Sequence, residues 1–102
     1  MATLVIFHRL ALREYQAAQR WYARRGGIAL AQSFQDEIER AVQQIAHNPS
    51  QWPIAQGPYR WIRPRRFPYV LYYRTLDANH VLIVAVAHAR RRPGYWLRRS
   101  RP

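Results

Sequence analysis

The 102-residue chain reads as an α+β domain in which one sheet is packed by helices, in the order β-α-α-β-β-β. Three observations predict it. Val81 to Ala87 (VLIVAVA) is an unbroken apolar run, short and β-branched, as a buried central strand requires. Residues 10–47 carry two apolar stripes at helical spacing, separated by Gly26-Gly27. Between these regions, Pro49, Pro53 and Pro58 rule out further helix.

Element by element, Thr3–Phe7 is β-rich and predicts a first strand that turns at His8-Arg9. Ala11, Tyr15, Ala18, Trp21 and Tyr22 then define a helix over Leu10–Arg25, with Trp21, Tyr22 and the later Trp52 read as core. Leu30, Phe34, Ile38, Ala41, Val42 and Ile45 define a second helix, Ala29–His47, closed by Asn48-Pro49. The tight Gly-Gly link predicts an antiparallel helical hairpin. Three antiparallel strands follow at Tyr59–Arg63, Pro68–Thr75 and Val81–Ala87, the last two joined by a turn over Leu76–His80 in which Asp77 and Asn79 supply local hydrogen bonds. Length predicts a single domain over residues 1–102, with a basic tail from about 97 that frays over Arg98–Pro102.

Charge narrows the partners. Seventeen arginines, no lysine and five acidic residues give a formal charge of +12. Such a surface attracts polyanions, and arginine adds planar, bidentate recognition of phosphate or carboxylate. At least half of the helical arginines Arg9, Arg13, Arg20, Arg24, Arg25 and Arg40 are expected on exposed faces, pairing with Glu14, Asp36 or Glu39. With no cysteine, disulfides, thiol catalysis and Cys-based zinc sites are excluded, and four scattered histidines suggest neither metal nor other cofactor. The N-terminus lacks the basic segment and long apolar run of a signal peptide, and no stretch nears the roughly 20 apolar residues of a membrane span, so a cytoplasmic protein is expected.

The segment His88–Leu97 (HARRRPGYWL) concentrates the chemistry where the apolar strand ends. RNA cleavage by 2′-hydroxyl attack needs a base, an acid and positive charge around the phosphorane. In a ribonuclease reading alone, His88 or Tyr95 would serve as base or acid, without metal. Tyr95 serves only if neighbouring guanidinium groups stabilise its phenolate. Arg90, Arg91 and Arg92, joined by Arg63, Arg65 and Arg66, are the candidate ligands for nucleic acid or another target, with Trp96 as a stacking surface. The same arginines serve equally well in a non-enzymatic nucleic-acid-binding module.

Several phrases in fixed order resemble the RelE/ParE superfamily of bacterial toxins: Trp21-Tyr22, Ile45-Ala-His-Asn-Pro49 with Trp52-Pro53, Arg66-Phe-Pro-Tyr-Val-Leu-Tyr-Tyr73, and Ala85 through Trp96. The resemblance spans almost the whole chain. It implies the toxin of a type II toxin-antitoxin pair, with an acidic cognate antitoxin as partner. RelE-like members are ribosome-dependent mRNA endoribonucleases, whereas ParE-like members poison DNA gyrase. The ribonuclease branch often carries a phosphate-contacting Arg in its Gly-Tyr-Arg-Leu-Val-Tyr strand, and the position read as equivalent here is Tyr69. The resemblance therefore favours the gyrase-directed branch, although Tyr95 stands where the ribonuclease branch has its C-terminal Tyr.

Overall fold

The structure, a computed structural model, describes residues 3–99. It contains β1 (Leu4–Phe7), α1 (Arg9–His47), β2 (Ile54–Gln56), β3 (Tyr59–Ile62), β4 (Tyr69–Asp77) and β5 (His80–His88). The five strands form one sheet in the order β1-β5-β4-β3-β2. Among the described residues, no helix is long and apolar enough to cross a membrane.

This architecture corrects the expected β-α-α-β-β-β arrangement in three respects. A single helical element of 39 residues replaces two helices joined by a glycine linker. The sheet has a fifth strand, β2, in the segment read as an irregular loop. The sheet is also mixed, because β1 pairs with β5 in parallel, Leu4 opposite His80 through Phe7 opposite Ile83.

The physical reasons lie in particular residues. The Gly26-Gly27 pair predicts a helix stop, yet Gly27 alone leaves helical geometry, at φ 84° and ψ 177°. That conformation is nearly restricted to glycine. The bend it makes is sharp. Gln19 donates a 3.1 Å hydrogen bond to Gln35, 16 positions on, and the Tyr15 and Phe34 rings lie 5.9 Å apart. On a straight helix, residues that far apart in sequence would be separated by roughly 24 Å. At β2, proline forbids helix but not a short edge strand, and Pro53 and Pro58 flank its three exposed residues. This extra strand adds one reversal of chain direction, so β5 runs parallel to β1.

The remaining pairs, β2–β3, β3–β4 and β4–β5, are antiparallel. β5 lies inside the sheet, between β1 and β4, and is buried on both faces from Val81 to Ala87. Val81, Ile83 and Val86 meet Ala11, Ala18, Tyr22, Phe34 and Ile38 of α1. On the other face Leu82, Val84, Ala85 and Ala87 pack with Tyr59 and Trp96. The alternation slips by one residue at Val84, where Tyr72 faces Ala85 and Tyr73 faces Ile83, leaving Val84 as a bulge.

Two tryptophans depart from expectation. Trp21, read as core, is 44 % exposed. Its ring meets the Tyr22 ring edge-on and carries the Arg25 guanidinium 5.0 Å above it. Trp96, read as a target-binding ring, is 1 % exposed and stacks on Tyr72 at 4.5 Å. It is the large side chain that covers the face of the sheet opposite α1.

Candidate functional site

The site is organised by Glu14, on the second turn of α1. β1 accompanies β5 only as far as Ile83, where the chain turns away and the His8 N–H donates to the Ile83 carbonyl. Side chains occupy the edge of β5 beyond that point. Glu14 Oε1 accepts from the Val86 N–H at 3.0 Å and from the Arg99 guanidinium at 3.0 Å, and Arg99 also donates to the Val84 carbonyl. Glu14 Oε2 accepts from the Tyr95 hydroxyl at 2.7 Å, with Arg91 at 3.9 Å. The C-terminal segment is thereby clasped onto the sheet.

Glu14 thus pairs with the C-terminal arginines instead of the helical ones expected. Asp36 and Glu39 accept from Gln32 and Gln35, while Arg40 pairs with Glu37. Arg99, expected to fray with the tail, is held by the clasp; residues 100–102 lie outside the described residues.

Tyr95 therefore carries electrostatics opposite to those a phenolate needs. Burial raises its hydroxyl pKa above the ordinary tyrosine value, and the hydrogen bond to Glu14 and the charge of that carboxylate add to the effect. Arg91, stacked 3.9 Å above the Tyr95 ring, and Arg99 oppose it without reversing it. The group is a hydrogen-bond donor to a carboxylate.

His88 ends β5. Its Nδ1 accepts from the Arg90 N–H at 3.1 Å, and its ring meets Tyr69 edge-on at 5.3 Å. It lines a groove of about 530 Å³ with Glu14, Trp21, Tyr22, Tyr69 and Arg91, between α1 and the ends of β4 and β5. Among the described residues no hydrogen bond joins His88 to Tyr95.

Tyr69 packs toward α1, with its ring 5.2 Å from Phe34 and 6.3 Å from Tyr22, and burial raises the pKa of its hydroxyl. An arginine at Tyr69 would thus enter the helix-side core. By strand alternation the neighbouring Val70 lies on the opposite face, where it lines a cleft of about 390 Å³ with Trp61, Arg63 and Tyr72. Neither position carries a guanidinium.

The candidate arginines are dispersed. Arg63 lines that cleft and also a second, of about 380 Å³, shared with Arg40, Arg65 and Trp52. Arg66 lies over the Phe67 ring, and its backbone N–H donates to the buried Glu37 carboxylate. Arg90 and Arg92 are exposed, whereas Arg91 is engaged with Tyr95 and Glu14. Among the described residues no group of three His, Cys, Asp or Glu side chains stands where it would hold a metal. Glu14 was missed as a site residue. Its only signal in the sequence is that no other acid precedes Asp36.

A bent helix thus lies on one face of a mixed sheet, with an arginine-rich C-terminal segment clasped across its edge. The chain matches the family described as ParE toxin of type II toxin-antitoxin system, parDE, over residues 5–93, and it belongs to that family. The solved structure of a chromosomal ParDE TA system from P. aeruginosa contains a chain of similar fold. Its TM-score is 0.72 at 17 % identity, over 84 % of this chain and 95 % of that one. Comparison with curated proteins returned no match.

Proposed function

We propose that this ParE-family toxin arrests bacterial growth by binding and poisoning DNA gyrase in the cytoplasm, and that an acidic antitoxin masks it. The observation that carries the reading is the Tyr95–Glu14 hydrogen bond, with no hydrogen bond between Tyr95 and His88 among the described residues. A metal-independent ribonuclease needs those two groups on one phosphate, with the tyrosine free to exchange a proton. Here the tyrosine fastens the C-terminal segment. The exposed basic surface then serves recognition of a large target.

The groove lined by Trp21, Tyr22 and Tyr69 supports the antitoxin partner, since it offers apolar surface to a short amphipathic segment of an acidic protein, which the +12 charge of the chain attracts. Affinity resting on both terms survives moderate salt.

Induction of the chain alone is expected to give filamentous cells with a DNA-damage response and intact mRNA. The purified chain is expected to inhibit supercoiling by purified gyrase. Codon-dependent mRNA cleavage on translating ribosomes, abolished by Tyr95→Phe or His88→Ala, overturns this reading and makes the chain an endoribonuclease.

A further inference from the structure

Three clefts share lining residues and make up one path, whose third cleft also shares Arg91 with the Trp21 groove. The first lies between the second arm of α1 and the β3–β4 connection, and carries Arg40, Arg65, Trp52 and Arg63. Arg63 also lines the second, on the open face of the sheet beside Trp61. Gln56, Pro93 and Gly94 join the second to a third cleft of about 510 Å³ that carries Arg92. We propose that a single-stranded polynucleotide binds along this path, its phosphates on Arg40, Arg65, Arg63 and Arg92 and its bases on Trp52 and Trp61.

Charge and ring geometry carry the assignment. One carboxylate, Glu37, lines the path, and it is already occupied by the Arg40 guanidinium at 2.8 Å and the Arg66 N–H at 3.2 Å. Among the described residues Arg63, Arg65 and Arg92 form no ion pair, so their planar donor forks face solvent without a counter-charge. Trp52 and Trp61 are half-buried, each beside an arginine in its cleft. Guanidinium groups alternating with ring surfaces match the backbone and unstacked bases of a single strand. A duplex hides its base faces, and an acidic peptide would leave both tryptophans unused. This binding is separate from the gyrase reading, because it requires only the chain and the strand.

The test is fluorescence anisotropy of the full chain with a labelled oligothymidylate of about 12 nucleotides, inside the ~4–16-nucleotide range of such sites. An oligouridylate of equal length is run in parallel to separate DNA from RNA as the source of the strand. Affinity is expected to fall with salt at a logarithmic slope of about 0.7 per phosphate contacted. The double substitution Arg63→Gln, Arg65→Gln is expected to lower that slope by about 1.4. Trp61→Ala is expected to weaken binding roughly fivefold or more at unchanged slope, the scale of one lost stacking contact. Trp61→Leu, with the helical circular-dichroism signal as control, guards against loss of fold. Unchanged affinity in Trp61→Leu, tighter binding of a duplex of equal length, or equally tight binding of polyglutamate overturns the proposal.

Discussion

The Tyr95 hydroxyl donates to the Glu14 carboxylate at 2.7 Å across a sequence separation of 81 residues, and the same carboxylate accepts from the backbone of β5. One acid on the first arm of the helix thus holds both the sheet edge and the C-terminal segment in place. Glu14→Ala leaves the Val86 N–H without its acceptor and the mostly buried Arg99 without its counter-charge. The expected cost is about 2–4 kcal/mol, read as a lowered urea midpoint. Glu14→Gln keeps one acceptor oxygen and is expected to cost roughly half as much.

Tyr95→Phe removes the hydroxyl and keeps the ring under Arg91. Loss of a single hydrogen bond to a carboxylate predicts about 1.5–3 kcal/mol of destabilisation. If the tyrosine is a fastening, toxicity on induction stays near that of the unmodified chain. If it is an acid or base, activity falls on the order of a hundredfold or more.

Gly27 and Gly26 should respond to alanine in the reverse of what local crowding suggests. A methyl group on Gly27 meets nothing within 4 Å, whereas one on Gly26 meets Leu30 Cδ2 and comes within 3.1 Å of Leu30 Cβ. Gly27, however, has φ +84°, a conformation costly for any side chain. Gly27→Ala is expected to lose about 1–3 kcal/mol from backbone strain alone. Gly26→Ala, helped by alanine's helix propensity and the flexible end of Leu30, is expected to stay within about 1 kcal/mol of the parent. Thermal melts of the two variants compare them directly.

Acid sensitivity should trace to His8. Its buried ring caps α1, with Nδ1 accepting from the Leu10 N–H at 3.0 Å, so protonation of Nδ1 breaks the cap. Burial lowers its pKa below 6.5, and the charges of Arg99 and Arg9 lower it further. The unfolded chain therefore takes up this proton first as pH falls. The stabilisation is fully present above about pH 6.5 and is lost as pH drops toward the folded value. His8→Ser keeps a capping oxygen and should flatten this limb of a Tm-against-pH curve, while His8→Ala should cost about 1 kcal/mol even at pH 8.

The alkaline limb has the opposite sign. Burial pushes the hydroxyls of Tyr73 and Tyr15 up to about 12. The folded state keeps protons that the unfolded chain releases near pH 10, so stability falls above that pH. Tyrosinate absorbance near 295 nm should rise late and together with unfolding.

Much of the frame was legible because it depends on local pattern. The apolar run at Val81–Ala87 marks a strand buried on both sides, and the stripe from Phe34 to Ile45 marks a helix face, whatever else the chain does. β2 was not legible. Three exposed residues between prolines carry no periodicity, and they become a strand only because β3 lies beside them. The parallel sense of β1 and β5 depended on that same strand.

The candidate site divides along the same line. By itself the sequence determined the family, the buried strand, the arginine excess and the candidate residues from His88 to Trp96, because composition and contiguous motifs survive without a fold. Only the tertiary structure decided which way those residues face. It buried Trp96 against Tyr72, turned Tyr69 into the helix-side core while Val70 took the opposite face, and set Tyr95 on Glu14 instead of a phosphate. A one-residue step along a strand reverses the direction of a side chain, and a partner 81 positions away leaves no local trace.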